Sequence, residues 1–350
     1  MSRLNALASL CAAMLSVVPA HADETANPAG PTPKAYMVSD AHLDTQWNWD
    51  IQTTIGEYVW NTLNQNLLLL DKYPQYVFNF EGGVKYAWMK EYYPREYELL
   101  KKHISDGRWH ISGASWDATD AVVPSVESAI RNIMLGQEFY RKEFGTESTD
   151  IFLPDCFGFP YTLPTVASHC GLIGFSSQKL DWRNNPFYED GKKYPYTVGL
   201  WKGVDGSTIM MYHSYGYTGK FDNEDLTANK ELLTAAGQSV TNSVARYYGT
   251  GDIGGAPNIA SVESVEKALK GGNGPLKIVS AASDQIFKDY LPYEAHPELP
   301  SFDGELLMDV HGTGCYTSQA AMKMYNRQNE LLGDAAERAA VAAEILGVAE

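Results

Sequence analysis

The sequence predicts an α/β fold built on parallel strands, either an open doubly wound sheet or a barrel. Three observations point there. Short β-rich runs recur at AYMVS (35–39), YVFNF (76–80), RWHIS (108–112), DIFLP (150–154), IGFSS (173–177), TIMMYH (208–213) and LKIVS (276–280). Between several of them lie amphipathic stretches, Val59 to Lys72, Tyr86 to Ser105 and Ser125 to Phe144, whose apolar positions repeat at three and four. With 44% hydrophobic residues among 350, the chain can bury one large core and part of a second.

Residues 1–22 read as a cleavable secretory signal: Arg3 at the start, an apolar run from Leu4 to Val18, and the small-x-small ending Ala20-His21-Ala22. The apolar run is shorter than the roughly 20 residues that span a bilayer, and no later segment comes closer. A secreted or periplasmic protein without a membrane span is therefore expected. Residues 23–33, DETANPAGPTP, are polar and Pro-rich and read as a linker. From Ser301 the character changes to DGELLMDV, a Gly-rich turn and an Ala-rich helix from Thr317 onward. One or two helices cannot bury their own apolar faces, so a helical second domain is expected to begin there and to be cut short.

The net charge is −16 at pH 7, and removal of residues 1–22 takes away Arg3 and no acid, leaving −17. Such acidity argues against a nucleic-acid partner and is compatible with a neutral sugar and a bound cation. Once Cys11 leaves with the signal, Cys156, Cys170 and Cys315 remain, too few for a disulfide framework.

The segments after the strands place function. AHLD, EGG, GASWD, DCFGFP, QKLDW and YHSYGY carry carboxylates, imidazoles or aromatics, and in barrels and open α/β sheets such loops form the active site. After the first strand, period-two geometry points His42 and Asp44 to one side, which suits zinc or is simply a polar strand end. Trp47 and Trp49 offer indole faces for a sugar ring or ordinary packing. In LPDCFGFP, Asp155 sits in a tight apolar loop, where a lone carboxylate is costly unless paired with a cation or metal; a helix cap is the alternative. His311, in a Gly-flanked turn, is either a further ligand or a satisfied turn histidine.

Taken together and in order, these segments resemble glycoside hydrolase family 38. HLDTQW resembles its first metal motif and LPDCFGFP its nucleophile loop. GASWDATDAVVPSVESAIRNIMLGQEFYRKEFG, FSSQKLDW, LWKGVDGS and HGTGCYTSQAAMKMYNRQNE also have counterparts. The resemblance runs from residue 35 to 340. It implies a zinc-dependent, retaining exo-alpha-mannosidase with a seven-stranded (β/α) barrel-like catalytic domain over 34–290 and the start of a three-helix bundle over 291–350, the remaining C-terminal domains being needed for full activity.

By the same resemblance, zinc is held by His42, Asp44, Asp155 and His311. Asp155 also serves as the nucleophile, and Trp47, Trp116, Asp117 and Lys179 bind a mannose-containing glycan. Two departures stand out: the turn after His311 is one residue longer than in many relatives, and Asp117 replaces a more usual glutamate. The expected general acid is Asp252 in YYGTGDIGGAP, by analogy with an aspartate in a comparable Gly-rich loop; a turn aspartate is the other reading, with Asp222 and Asp284 as fallbacks. Two other functions stay open, a metal-dependent carbohydrate deacetylase and a mannose-binding remnant without catalysis. Exported material should begin at Asp23, and an intact Met1 in an exported fraction, seen by mass spectrometry, would count against the signal.

Overall fold

The computed structural model describes residues 32–181, 196–307 and 315–348. The expected signal, most of the expected linker, and His311 lie outside these described residues.

In chain order the strands are β1 (Lys34–Ala41), β2 (Phe78–Glu81), β3 (Trp109–Ser112), β4 (Asp150–Phe152), β5 (Gly158–Phe159), β6 (Gly174–Ser177), β7 (Val198–Lys202), β8 (Thr208–His213), β9 (Ser243–Thr250), β10 (Lys277–Ser280), β11 (Ser301–Asp303) and β12 (Leu306–Leu307). β1 alternates Tyr36, Val38 and Asp40 on one face with Ala35, Met37 and Ala41 on the other, and both faces are buried. It pairs in parallel with β9 over all eight positions, from Lys34↔Ser243 to Ala41↔Thr250. Its opposite edge meets β10 through Lys34–Met37 and β2 at Ser39–Asp40, and β2 pairs onward with β3. A second five-stranded sheet runs β11-β7-β8-β6-β4, while β12 and β5 form an antiparallel pair. β11 and β12, inside the 291–350 stretch assigned to the helical domain on sequence, thus pair with β7 and β5.

Where a seven-stranded barrel-like domain was expected, the described residues form no closed barrel. Among the described residues no strand pairing joins the two five-stranded sheets. At one seam Gly113, with φ +72°, turns the chain after β3, and its N–H donates to the Asp150 side chain at 2.9 Å, so only an isolated backbone bond comes next, Ala114 N to Asp150 O at 3.0 Å. At the other, Tyr247 N donates to Ser214 Oγ at 2.9 Å. β8 lies between β6 and an antiparallel β7, so it has no free edge to pair with β9.

Three apolar clusters hold the layers. Tyr36, Val38, Phe152, Tyr212, Tyr247 and Phe287 draw side chains from both sheets into one interior. Phe78, Phe80, Trp109 and Leu63 pack helices on the first sheet, and Phe175, Trp201 and Met211 do so on the second. The expected helix over Tyr86–Ser105 is broken, because Pro94 begins a new helix, Pro94–Ser105, after Gly83–Tyr92. The Val126–Phe144 helix starts on a Ser125 cap and ends on Gly145 in the left-handed conformation.

The final helix, Ala320–Ile345, has no buried residue and is tied to that helix by Arg131–Glu337 and by Glu330, which accepts from Ser125 N and Ser128 Oγ at 2.8 Å. No helix among the described residues is long and apolar enough to cross a membrane.

Asp150 takes the place of a ladder at the first seam. Its carboxylate accepts from Gly113 N, from Ser148 Oγ at 2.9 Å and from Ser283 Oγ at 2.6 Å. Asp150→Ala takes away the acceptor of Gly113 N and Ser148 Oγ and one of the two acceptors near Ser283 Oγ, and should cost about 2–4 kcal/mol, read as a shift in urea unfolding.

Candidate functional site

The site lies where chains leave the carboxyl ends of β1, β4 and β9. The first two loops to meet are those after β1 and β9, which continue the strands' alignment as isolated contacts. His42 N donates to Thr250 O at 3.0 Å, Asp44 N to Asp252 O at 2.9 Å and Gly254 N to His42 O at 3.0 Å, around a Leu43–Ile253 bridge. Asp252 adopts φ +67°, a conformation that L side chains rarely take, so its placement is held by its surroundings. Gly254 comes next but one at φ +64°, with Thr62 Oγ1 only 2.3 Å from where a Cβ would sit.

In the described residues, His42, Asp44, Asp155 and Asp252 converge, each offering one atom within 4.8 Å of all the others. His42 is 4% exposed. Its Nδ1 contacts Glu81 Oε1 at 3.1 Å, while its Nε2 has no hydrogen bond and lies 3.5 Å from Asp44 Oδ1 and 3.8 Å from Asp155 Oδ2. One ring nitrogen engaged by a carboxylate and the other bare among carboxylates is the arrangement of a metal-ligating histidine. The donor set, imidazole nitrogen and carboxylate oxygen, fits zinc by its chemistry.

Burial works against the charged imidazole, but Asp44 and Glu81 outweigh it and hold the His42 pKa up to about 10. Burial also pushes the Asp155 carboxyl above its ordinary value, although His42 and Lys179 pull the other way. Lys179 forms an ion pair with Asp155 Oδ1 and lies 4.0 Å above the Phe157 ring. Tyr217 donates its hydroxyl to Asp252 Oδ1 at 2.7 Å and packs its ring 5.2 Å from His42.

A cavity of about 380 Å³ is lined by His42, Asp44, Glu81, Asp117, Asp155 and Phe157 among others, while Asp252, Tyr217 and Lys179 are not part of its lining. That volume accommodates a single sugar ring.

The remaining sequence-derived residues divide. Asp117 lines the cavity and accepts from Thr45 Oγ1 at 2.7 Å. Trp47 is the neighbour of Gln46, a lining residue, and is 62% exposed, edge-on to Trp49. Trp49 is structural, its indole N–H bonded to Thr54 Oγ1 at 2.9 Å and its ring against Tyr58. Trp116 is not part of the cavity wall; it packs on Phe139 and against Gly83, where a Cβ would come within 2.8 Å of it.

Neither fallback acid reaches the cluster. Asp222 accepts from Ser261 Oγ, and Asp284 is buried against Lys288 and Thr149, each at 2.6 Å.

Sequence reasoning assigned no role to Glu81, Thr45, Tyr217 or Asn132. Glu81 lay in view within EGG at a strand end, Tyr217 within YHSYGY and Thr45 within HLDTQW, while Asn132 lay inside the long stretch after GASWD with nothing to single it out. Asn132 reads the backbone of Asp117, its Oδ1 accepting from Asp117 N at 3.1 Å and its Nδ2 donating to Asp117 O at 2.8 Å.

A carboxylate-rich cleft beyond the carboxyl ends of parallel strands is the active-site position of an α/β enzyme. Residues 32–305 match the model of the glycosyl hydrolases family 38 N-terminal domain, and the chain belongs to that family. Alpha-mannosidase G of Dictyostelium discoideum is 33% identical over 85% of this chain and 26% of its own length. Alpha-mannosidase 2C1 of Homo sapiens is 28% identical over 84% of this chain and 27% of its own. The chain therefore spans about a quarter of the length of these curated relatives. In fold it is similar to the crystal structure of an alpha-mannosidase from Enterococcus faecalis V583, with a TM-score of 0.65 at 19% identity over 78% of this chain and 31% of that one.

Because Asn132 fixes the loop that carries Asp117, Asn132→Ala should raise the KM of a substrate bound in this cavity about tenfold, the equivalent of one lost hydrogen bond. An unchanged KM would show that the loop holds without it.

Proposed function

We propose that this chain is the catalytic part of a secreted or periplasmic, zinc-dependent, retaining exo-alpha-mannosidase that removes terminal alpha-linked mannose from glycans. The observation that carries the reading is the meeting of His42, Asp44, Asp155 and Asp252 within 4.8 Å, the first three of them lining one cavity, in a chain of family 38. Relatives named alpha-mannosidase support the substrate class. As the chain spans about a quarter of their length, the whole protein's activity draws in this proposal on regions beyond the one described.

His42, Asp44 and Asp155 would hold the zinc ion, with His311 as the fourth ligand implied by the family resemblance. When bound, the ion supplies a Lewis-acidic charge that orients sugar hydroxyls and stabilises an oxocarbenium-like transition state.

The protein's own groups carry the rest. The Asp155 carboxylate forms a bond to the anomeric carbon while the bond from that carbon to the aglycone oxygen breaks. Asp252, in its acid form and oriented by Tyr217, gives its proton to the departing oxygen. In the second step Asp252 takes a proton from water, whose oxygen attacks the anomeric carbon and releases Asp155. Carboxylate atoms of Asp155 and Asp252 that approach within 4.8 Å suit retention, which needs the two groups only about 5–5.5 Å apart, rather than inversion. Lys179 pairs with Asp155 and favours its ionised form against the effect of burial. Trp47 offers the platform under the sugar, and Asp117 accepts from its hydroxyls.

Two experiments test this. Purified protein should hold about one zinc by elemental analysis, and His42→Ala and Asp44→Ala should lose it, since three-ligand remnants bind poorly; stoichiometric zinc in both variants would sink the assignment. With an activated aryl mannoside, Asp155→Ala should be inactive, whereas Asp252→Ala should still form the mannosyl-enzyme, hydrolyse it slowly and be rescued by azide. Wild-type behaviour of Asp252→Ala on unactivated mannosides would move the acid elsewhere, and appreciable activity in Asp155→Ala would overturn the site.

A further inference from the structure

We infer that Glu81, backed by the buried Lys85, is the positioning residue that orients His42 toward the ligand cluster. The inference rests on the reading of that cluster as a metal centre.

Glu81 ends β2 with 3% of its surface exposed, and its Oε1 is shared between His42 Nδ1 at 3.1 Å and Lys85 Nζ at 3.6 Å. Lys85 lies one helical turn on, is 0% exposed, and its Nζ has no hydrogen bond among the described residues. The chain passes between them through Gly82 at φ +87°, where a Cβ would stand 3.3 Å from Lys85 Nζ. Glycine thus gives the backbone its left-handed turn and leaves room for the ammonium group behind the carboxylate.

Two buried charges held in this way are expensive. A well-packed apolar pair of similar volume is often as stable or more so, so the fold does not require this one for its own sake. What the pair does supply is a fixed acceptor at Nδ1. The Tyr217 ring lies beside the imidazole, Glu81 takes Nδ1, and Nε2 is left as the free nitrogen, directed at Asp44 and Asp155. Lys85 stops the Glu81 carboxylate from swinging toward the cavity, which it also lines. Glu81 therefore acts through His42, by choosing its tautomer and ring angle.

The test compares zinc affinity, by competition with a chromophoric chelator, in the full chain and in a Glu81→Gln, Lys85→Met double variant. That variant removes both charges at nearly constant volume and leaves no buried ion unpaired. Affinity should fall about 10–100-fold, the range for loss of a partner behind a metal-bound histidine, while circular dichroism and thermal unfolding of the metal-free protein stay close to wild type. Wild-type affinity in the folded double variant overturns the inference. If the variant fails to fold, nitrogen chemical shifts of His42 in the zinc-loaded wild type decide instead. They should show a protonated Nδ1, and a proton on Nε2 overturns the inference. A wild-type chain that binds no zinc would sink the metal reading itself, an outcome distinct from an unaltered variant.

Discussion

The parallel register between β1 and β9 is the constraint on which the site depends. Two segments far apart in sequence pair over eight positions, and the alignment continues past both strand ends through contacts of His42 with Thr250, Asp44 with Asp252 and His42 with Gly254. Side chains in a strand alternate with period two, so a slip of one residue would turn the chemistry-bearing positions away from the cavity. The slip is opposed by burial on both faces of β1, since Tyr36 and Val38 belong to the interior between the sheets while Ala35, Met37 and Ala41 pack under helices. The hydrophobic core thereby sets the geometry of a polar site.

That site gathers negative charge where solvent is scarce. Asp44, Asp155, Asp252 and Glu81 stand close together, and burial alone would drive the Asp155 and Glu81 carboxyls toward their neutral forms. Cations enter from separate elements: Lys179 after β6 against Asp155, Lys85 on the helix after β2 against Glu81, and the His42 ring between them. The result is an arrangement of alternating sign in which, among the described residues, His42 Nε2 faces three carboxylates without a hydrogen bond. A fold selected only for stability would not collect these groups. The same economy explains Asp252, a non-glycine residue held at φ +67° and anchored by Tyr217.

Much of this was legible because local pattern and tertiary role agreed. The seven β-rich runs coincide with strands of the two sheets, and the loop residues after β1 and β4 that carried the chemical signal stand in the cavity wall. β9 was not legible. Its sequence SVARYYGT places Arg246 and Gly249 inside a strand, which breaks the apolar run, although the arginine is buried against Glu231 and Tyr215 and the glycine allows Asp40 O to approach to 1.9 Å from a would-be Cβ. β7 was missed as well, although the Asp205-Gly206-Ser207 turn that reverses it into β8 is a hairpin signal, with Gly206 at φ +84° and Asp205 accepting from Ser207 N. With those two strands unseen, the seven runs were compatible with the seven-stranded barrel-like domain that the family resemblance implies, and the open seams were invisible because they depend on what Asp150 and Ser214 side chains do to backbone donors.

The three candidate acids show why position in a motif and position in space carry different information. Asp222, Asp252 and Asp284 each lie near a strand end or turn, and composition does not rank them. Their oxygens do. Asp222 is engaged by Ser261 at the start of the Ile259–Ala268 helix, and Asp284 is taken up by Lys288 and Thr149 with His110 at 3.5 Å. An aspartate held by structural donors outside the His42 cluster is poorly placed to exchange a proton with a ligand bound there, whatever its second oxygen does. Asp252 has one oxygen on Tyr217, and its carboxylate joins His42, Asp44 and Asp155 within 4.8 Å. What separates the three is therefore the neighbour brought in from elsewhere in the chain, Tyr217 in one case and Ser261 or Thr149 in the others, and no local sequence window contains that neighbour's position in space.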